Sequence, residues 1–403
     1  MTCRLKAKPQ TGQIRLNFLT MKKHIGIVSL GNISEDTGGR NYLINFIKAI
    51  AHSESQHAFT VFLSPNQKHL IEPFLSERIG VVEVPLGDKS SVAKVISEQV
   101  IAPAYLAKEK LDVAYFPGNF LSLSSGVRSV VAIRSMLYYH YPYAIDKTRL
   151  WVRRTLTPLS ARKARAIITP SEDIKRDVVN FLGIDEKKIH VVHHGVDVET
   201  FQKNYVESER EALFKKFGVH LPFIMYASAL WEYKNQDKLM LAFEKLWREK
   251  GMEMQLVIIG KGIGSSEAYQ KRLRDIVRDH HLEGRVIFTG QLSHAELKYF
   301  YKYAEVFAYP SGYESFGNPL FEAWAAGVPV VCANVHSFPE MTQNGKCAVM
   351  VNPRNVDELA GALYRVITDS DLKKHLIEAG KARVASFSWE KCVRETLTVL
   401  SNA

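Results

Sequence analysis

The sequence predicts an α/β protein made of two doubly wound domains, each built on a parallel β-sheet. The chain has 403 residues, which is too long for one compact core and suits two domains of roughly 190 residues each. Short apolar runs alternate with helix-length segments from one end to the other, as parallel strands joined by helices require. Several runs end in glycine-containing turns, and α/β folds bind ligands at the turns that follow their strands.

The composition is that of an ordinary globular protein with a basic excess. Hydrophobic residues make up 46% of the chain and charged residues 24%, and no apolar run approaches the ~20 residues of a membrane-spanning helix. The net charge of +11 favours anionic lipid or phosphorylated ligands, because no nucleic-acid-binding motif occurs. The four cysteines have neither disulfide-type nor metal-type spacing, which predicts reduced thiols and a cytoplasmic protein.

The first domain is predicted to cover residues 21–200. Residues 1–20 have no acidic residue and no apolar core long enough for a signal peptide, and they are predicted to form a disordered extension. The strands predicted for this domain are 25–30, 60–64, 81–85, 111–116, 129–133 and 166–169. After the first strand comes Gly38-Gly39-Arg40, where paired glycines allow close approach of a ligand and the arginine adds positive charge.

The loop after the fifth strand leads from Arg134 through an aromatic stretch that contains His140 into a basic segment, residues 147–165. This segment has seven Lys or Arg residues and no acid. Its pattern around Trp151 predicts a helix with one apolar and one basic face. Such a helix suits an anionic membrane surface, and it equally suits a solvated helix that packs its apolar side on the domain core.

The second domain is predicted to cover residues 208–386, followed by a last helix at 387–403. Its first strand, 222–228, leads to Lys234 at the start of a helix. A cation there opposes the helix dipole, which indicates an anionic partner. Glycine turns follow the next two strands, at Gly260-Lys-Gly262 and at Gly290-Gln-Leu292.

The stretch around which the chain is organised is 310–329, between apolar strands at 305–309 and 328–332. It contains a glycine loop and a short helix, for which Asn318 is predicted as the N-cap and Pro319 as the first helical residue. The free N–H groups of Gly317, Asn318 and Leu320 would form an anion site at the edge of a parallel sheet.

Two carboxylates, Glu314 and Glu322, bracket this anion site with seven residues between them. A carboxylate does not bind phosphate and accepts hydrogen bonds from hydroxyl groups instead. A ribose on one side of a pyrophosphate and a hexose on the other would supply those hydroxyls. The alternative is that Glu322 only complements the helix dipole and Glu314 is solvated.

The pattern Ser-x-x-Glu-Ser-Phe-Gly-Asn-Pro-x-x-Glu-Ala-x-Ala-x-Gly-x-Pro, at 311–329, resembles the retaining glycosyltransferases of family 4 (glycosyl transferases group 1). The resemblance covers about residues 24–400. It implies the GT-B fold, in which two Rossmann-like domains face a central cleft and the last helix crosses back to the first domain. It also implies a nucleoside-diphosphate sugar donor, UDP- or GDP-linked, with no required cofactor and no metal.

In this family the first glutamate of the pattern contacts the transferred sugar and the second holds the ribose, which assigns those roles to Glu314 and Glu322. The resemblance also implies that Lys234 neutralises the departing phosphate. The donor-binding residues carried over are Gly38, Gly39, Arg40, Ser228, Lys234, Gly260, Gly262, Gly290, Leu292, Phe316, Gly317, Asn318, Leu320 and Glu322.

The chain departs from the family pattern in two places. Ser228-Ala229 replaces the usual Gly-Arg pair, so Lys234 supplies the charge alone or with another cation such as Arg40. Arg134-Ser135 replaces the His-Asp that many members carry, and His140 is a candidate to take over that contact. The catalytic candidates are Glu314, Lys234 and His140. No metal ligand is predicted, because His193 and His194 would face opposite ways on an extended strand and lack a third ligand.

The function predicted from the sequence is transfer of a sugar, with retention, from a nucleoside-diphosphate sugar to a glycan or lipid-linked acceptor. The protein is expected to be cytoplasmic and to associate with the inner face of the cell membrane through residues 147–165. Three alternatives share parts of the pattern: a nucleotide-sugar 2-epimerase, a polysaccharide phosphorylase, and a decayed subunit that binds sugar nucleotide without catalysis. The phosphorylase needs a Schiff-base lysine for pyridoxal phosphate, which nothing in the pattern suggests, and fold analogy does not separate the others.

Overall fold

The computed structural model describes residues 22–30, 38–85, 95, 98–203, 205–220, 222–262 and 266–403. The extension predicted at 1–20 and the turn at 31–37 lie outside these residues. The described chain contains two parallel sheets surrounded by helices. The prediction of an α/β fold with two parallel-sheet layers is therefore confirmed. The domain limits 21–200 and 208–386 stay a prediction.

The first sheet has seven strands in the order β3-β2-β1-β4-β5-β6-β7. Its strands are β1 His24–Ser29, β2 Ala58–Leu63, β3 Ile79–Glu83, β4 Val113–Phe116, β5 Ser129–Ala132, β6 Ala166–Thr169 and β7 Ile189–Val191. The helices around it are α1 Gly38–His52, α2 Ala102–Lys108, α3 Leu137–His140, α4 Lys147–Lys163 and α5 Glu172–Leu182. All pairings in this sheet are parallel, and its central strands are buried on both faces, as doubly wound sheets require.

The second sheet has six strands in the order β10-β9-β8-β11-β12-β13. Its strands are β8 Phe223–Ala227, β9 Gln255–Ile259, β10 Val286–Gly290, β11 Val306–Tyr309, β12 Val330–Ala333 and β13 Val349–Val351. The helices in this half are α6 Glu207–Phe217, α7 Gln236–Lys250, α8 Glu267–Asp279, α9 His294–Tyr303, α10 Asn318–Ala326, α11 Phe338–Met341, α12 Val356–Thr368 and α13 Ser370–Val384.

The last helix, α14 (Trp389–Asn402), packs on the first sheet's side of the molecule. Its apolar face, including Cys392, Val393 and Leu400, belongs to the same buried cluster as α1 and the strands of the first sheet. Trp389 makes an edge contact with Tyr42 of α1 at 5.4 Å between ring centroids. The chain therefore returns to the first half after completing the second.

Both sheets contain a point at which the strand order reverses, between β1 and β4 in the first and between β8 and β11 in the second. At such a switch point the turns after the two neighbouring strands diverge and leave a crevice at the carboxyl edge of the sheet. The fold therefore offers two crevices, one for each sheet.

Two helical glycines give a matched test of packing around α10. A Cβ added to Gly361 in α12 would meet no neighbouring atom within 4 Å, whereas a Cβ added to Gly380 in α13 would lie 2.3 Å from the Trp324 ring of α10. We expect Gly361→Ala to raise stability by about 0.5–1 kcal/mol, because alanine loses less backbone entropy in a helix. We expect Gly380→Ala to lower it by about 1–3 kcal/mol through overpacking. Melting temperatures of the two variants test this, and equal values would contradict the packing of Trp324.

Candidate active site

Lys234 and Glu314 meet at the switch point of the second sheet. Lys234 lies in the turn that follows β8, at the end of the 3₁₀ turn Glu232–Lys234, and Glu314 lies in the loop that follows β11. The Lys234 ammonium donates to the Glu314 carboxylate, and the Tyr309 hydroxyl at the end of β11 donates to the same oxygen. The structure thus pairs two residues for which the sequence predicted separate roles.

This ion pair is almost completely enclosed: the Lys234 side chain is 8% exposed and that of Glu314 is 15% exposed. Burial acts to lower the pKa of Lys234, but the attraction and hydrogen bond of Glu314 together with the influence of Tyr233 outweigh it, and the net effect raises the pKa above its usual value. Because a raised lysine pKa contributes stability that is lost only as pH rises through the folded value, the pair is intact at neutral pH. Burial, aided by Glu314, also raises the pKa of Tyr309 well above its usual range, so its hydroxyl remains a donor.

The turns that carry the pair are joined to each other by hydrogen bonds to main-chain carbonyls. Asn235, with a left-handed φ of 56°, is the N-cap of α7, and its Nδ2 donates to the Pro310 carbonyl at 2.8 Å. The Gly312 N–H donates to the Tyr233 carbonyl at 2.6 Å. A Cβ on Gly312 would lie 2.9 Å from that carbonyl oxygen, so only glycine permits the turns to approach this closely.

Helix α10 begins one residue earlier than the sequence predicted. Its N-cap is Gly317, with a φ of +87°, and Asn318 is its first helical residue rather than its cap. The sequence predicted a free Leu320 N–H, but in the structure this group donates to the Gly317 carbonyl at 2.9 Å. Within the described chain the N–H groups of Gly317 and Asn318 donate no hydrogen bond, so these two are left for an anion at the positive end of the helix.

Glu322 lies at the wall of a second-sheet pocket of about 220 Å³. The Tyr301 hydroxyl donates to its Oε2 at 2.9 Å, which leaves the other oxygen for a ligand. Burial raises the pKa of Glu322, and nearby His294 and the Tyr301 hydrogen bond offset part of that rise. The pocket is lined by Ala227, Ser228, Ala229, Ile259, Gly260, Lys261, Gln291, Leu292, His294, Leu297 and Glu322.

Glycine is required on the floor of this pocket. Gly260 has a φ of +140°, and a Cβ there would lie 2.0 Å from the Ser228 carbonyl oxygen. The Gly260 N–H donates to the Gly290 carbonyl at 2.9 Å, which joins the ends of β9 and β10. Gly262 forms a bridge with Leu230 after β8. The turns after three neighbouring strands therefore form one surface beside Glu322.

Comparison with known proteins identifies the family. A model described as Glycosyl transferases group 1 matches residues 209–383, and one described as Glycosyltransferase Family 4 matches residues 37–200. Together the two models cover most of the residues in both halves of the chain. The chain belongs to the family 4 glycosyltransferases.

Relatives of this glycosyltransferase include the O-antigen chain mannosyltransferase B of Escherichia coli, which is 25% identical over 73% of this chain and 75% of its own. A D-inositol 3-phosphate glycosyltransferase of Xylanimonas cellulosilytica is 28% identical over 91% of this chain and 92% of its own. The crystal structure of the Anabaena protein HepE in complex with UDP and glucose matches with a TM-score of 0.74 and 19% identity, over 94% of this chain and 100% of that one. The predicted GT-B fold is thus confirmed.

Two residues predicted to bind donor have side chains in the core of the glycosyltransferase. Phe316 is 2% exposed and stacks on Phe321 at 4.6 Å between ring centroids, with His194 at 4.9 Å. The Leu320 side chain is fully buried. A contribution of either residue to a ligand site is therefore limited to its main chain.

His140 ends α3 on the first-sheet side of the cleft and contacts aromatic residues of the second half. Its Nε2 lies 2.8 Å from the Asp177 carboxylate, and its ring packs 4.6 Å from His336 and 5.3 Å from Tyr313. The carboxylate and the two aromatic neighbours hold the ring in place. No pattern in the sequence points to Asp177, which is 37 residues away along the chain.

The two halves of the glycosyltransferase are joined by hydrogen bonds across the cleft. Glu340 accepts from the Glu172 N–H and pairs with His193 Nε2, both at 2.8 Å. The Met136 N–H donates to the Tyr313 hydroxyl at 2.7 Å. All of these groups follow the carboxyl ends of strands in one sheet or the other, so the two switch-point crevices face each other.

The residues predicted on the first-sheet side lie at the start of α1. Gly38, Gly39 and Arg40 form its first turn, and the next residue, Asn41, has its Nδ2 3.0 Å from His294 Nε2 across the cleft. In the described part of the chain no three His, Cys, Asp or Glu side chains converge as metal ligands. Across the same residues, no helix combines the length and the apolar character needed to span a membrane.

The buried ion pair can be tested by a double-mutant cycle on stability. We expect Lys234→Met to cost about 3–5 kcal/mol, because it leaves the Glu314 carboxylate buried without its cation. Adding Glu314→Gln should recover most of that loss, since the uncompensated charge is then removed. Thermal or urea unfolding of both single variants and the double variant measures the coupling.

The matched control is the exposed pair Lys203–Glu199, whose side chains are 63% and 80% exposed at 3.1 Å. The same two substitutions there should show a coupling of about 0–1 kcal/mol. Equal coupling energies for the two pairs would contradict the assignment of Lys234–Glu314 as an enclosed ion pair.

Proposed function

We propose that this glycosyltransferase transfers a sugar, with retention of anomeric configuration, from a UDP- or GDP-linked donor to a glycan or lipid-linked acceptor. The observation that carries the proposal is the arrangement of three complementary groups around one switch point: the Lys234 cation, the unbonded N–H groups that open α10, and the Glu322 carboxylate. Cations and N–H groups suit a diphosphate, and a carboxylate suits the hydroxyls of a ribose. The HepE complex with UDP and glucose supports the same class of donor, and the mannosyltransferase relative supports sugar transfer.

In this proposal the diphosphate lies between Lys234 and the N–H groups of Gly317 and Asn318. Glu322 accepts from the ribose hydroxyls, and its second oxygen is held by Tyr301. The base occupies the surface made by the turns after β9 and β10. Glu314 then accepts from hydroxyls of the transferred sugar, while Tyr309 orients it.

The residues act by positioning and by stabilising charge as the diphosphate leaves. Lys234 is enclosed beside Glu314, so its charge is poorly screened by water and acts strongly on a phosphate that approaches it. The leaving phosphate oxygen takes the proton of the attacking acceptor hydroxyl on the same face of the sugar, which gives retention. Lys234 and the α10 N–H groups supply the positive charge, and no metal cofactor is part of the proposal.

Helix α4 provides a surface for an anionic lipid bilayer, which would suit a lipid-linked acceptor. Trp151 is 68% exposed and Leu159 43% exposed on this helix. The exposed basic residues of the segment are Lys147, Arg149, Arg154, Arg162, Lys163 and Arg165. An exposed tryptophan among basic side chains is typical of helices that lie on anionic membranes. The predicted division into an apolar and a basic face differs from the structure, because Trp151 shares the exposed face with the basic residues.

Thermal unfolding against UDP, GDP and ADP tests the donor site. One diphosphate at 100 times its dissociation constant should stabilise the wild type by about 2.7 kcal/mol, and Glu322→Gln should abolish most of that gain. The glutamine still accepts from Tyr301, so the pocket keeps its packing. Because burial raises the folded pKa of Glu322, ionising it costs stability as pH rises above its ordinary value of 4.5.

Without nucleotide, the Glu322→Gln variant should therefore be more stable than the wild type at pH 7. Below the ordinary pKa of glutamate the two proteins should be equally stable. The control is Glu358→Gln at the exposed start of α12, which should change neither the nucleotide shift nor its pH dependence. The absence of a shift with all three diphosphates would overturn the donor-site proposal. Once a base is found, the anomeric configuration of the product, read by NMR, tests retention.

Sedimentation with lipid vesicles tests the membrane surface. We expect binding to vesicles that contain 30% phosphatidylglycerol and none to pure phosphatidylcholine, because each basic residue near an anionic surface contributes about 1 kcal/mol. Trp151→Ser and Arg149→Gln should each weaken binding, and raised salt should release the protein. Equal binding to both kinds of vesicle, or no effect of the two substitutions, would contradict the assignment to α4.

A further inference from the structure

A second pocket, of about 310 Å³, lies at the switch point of the first sheet. Its walls include the end of β1, at Val28 to Leu30, and the turn after β4, at Phe116 to Gly118. Gly39 in the first turn of α1 also lines it, so the positive end of a helix of 15 residues lies at its edge. The volume is that of a small-molecule site.

Two arginines line this pocket. Arg153 belongs to α4 but is half-buried and directed into the domain, unlike its exposed neighbour Arg154. Arg134 follows β5 and stacks on the Tyr42 ring at 4.2 Å. Glu98 is the one carboxylate among the described residues that line the pocket, so the charged lining has an excess of positive charge.

Arg153 is charged and forms no ion pair within the described chain. Its contact there is with the Tyr138 ring, at 5.9 Å from the guanidinium carbon to the centroid, and the nearby Asp146 carboxylate pairs with Arg149 instead. Burial lowers the pKa of both Arg153 and Arg134, yet a guanidinium remains protonated at neutral pH. The Arg153 cation is held in a poorly solvated site without a paired counter-ion, which is costly, and an anionic ligand would offset that cost.

The pocket opens toward the cleft between the two sheets. It is built from the carboxyl ends of β1 and β4 and from Arg134 after β5. At the same edge the Met136 N–H and the Ser171 hydroxyl donate to Tyr313 and Ser315 of the second half, at 2.7 Å and 2.8 Å. A molecule in the pocket would therefore reach toward the Lys234–Glu314 side.

We propose that this first-sheet pocket binds an anionic group, a phosphate or a carboxylate, on the acceptor substrate. The proposal rests on the proposed function and names its acceptor as negatively charged. Arg153 and Arg134 would each offer the planar pair of N–H donors that matches such a group. The same chemistry has a second source in an anionic donor sugar, and a comparison of charged and neutral donors separates the two.

The test uses the full chain with the stabilising diphosphate at saturation, so that added anions do not compete for the donor site. Inorganic phosphate, glucose 6-phosphate, glucuronate and neutral methyl glucoside are titrated, and melting temperature is followed. We expect the three anions to raise it in the wild type and methyl glucoside to leave it unchanged. Arg153→Gln should weaken anion binding by about tenfold or more.

Two further variants control for folding and for charge. Arg153→Lys keeps the charge and should retain part of the anion affinity even where Arg153→Gln disturbs the domain. Arg128→Gln removes an exposed arginine from the opposite end of β5 and should leave the anion affinity at the wild-type value. Equal shifts from glucose 6-phosphate and methyl glucoside, or full anion affinity in Arg153→Gln, would overturn the proposal.

A second experiment compares a charged donor, UDP-glucuronate, with a neutral one, UDP-glucose. If the donor-site test identifies a base other than uracil, the corresponding pair of sugar nucleotides is used. If Arg153→Gln weakens only the glucuronate donor and leaves free anions unaffected, the pocket serves the donor sugar and the acceptor assignment is wrong. Failure of the proposed function gives a different result. In that case no diphosphate binds through Glu322, while the anion shifts and their dependence on Arg153 persist.

Discussion

The candidate site depends on one enclosed ion pair, Lys234–Glu314. A buried cation and a buried carboxylate are each costly alone, and each becomes tolerable only beside the other. The pair therefore requires that the turns after β8 and β11 meet, which the Gly312 N–H and the Asn235 side chain permit through hydrogen bonds to main-chain carbonyls. A diphosphate that binds Lys234 would share its cation with Glu314, which frees the carboxylate to accept from sugar hydroxyls. The same contact then holds the turns in place and prepares the site for an anion.

The reversal of strand order explains the positions of the first-sheet pocket of about 310 Å³ and the second-sheet pocket of about 220 Å³. Each sheet reverses once, between β1 and β4 or between β8 and β11, and each reversal leaves a crevice at the carboxyl edge. Contacts such as His193–Glu340 hold these two edges against each other. Two substrates could then be brought together without a special loop, because the geometry of parallel sheets already places both crevices at one cleft.

Much of this arrangement could be predicted from the sequence. Alternation of apolar runs with helical segments indicated the two parallel sheets, because buried parallel strands read as continuous apolar runs. The spacing of Glu314 and Glu322 around a glycine loop indicated the second-sheet site. The partners of those residues could not be predicted, since Lys234 lies 80 residues from Glu314 and Tyr301 lies 21 from Glu322. Likewise, the presence of a phenylalanine at position 316 does not predict that its ring stacks on Phe321 in the core.

The two departures from the family pattern both change how positive charge is distributed across the cleft. Ala229 lines the second-sheet pocket where the pattern has an arginine, so the positive charge on that side comes from Lys261 in the pocket wall, from Lys234 and from the helix N–H groups. Arg134 instead brings a guanidinium to the first-sheet pocket, where Arg153 joins it. Under the proposed function, less positive charge on the donor side would weaken the hold on a diphosphate, and more on the opposite side would strengthen attraction for a charged acceptor. A diphosphate held less tightly would also leave sooner, which matters because product release limits the turnover of many enzymes that close around their substrates.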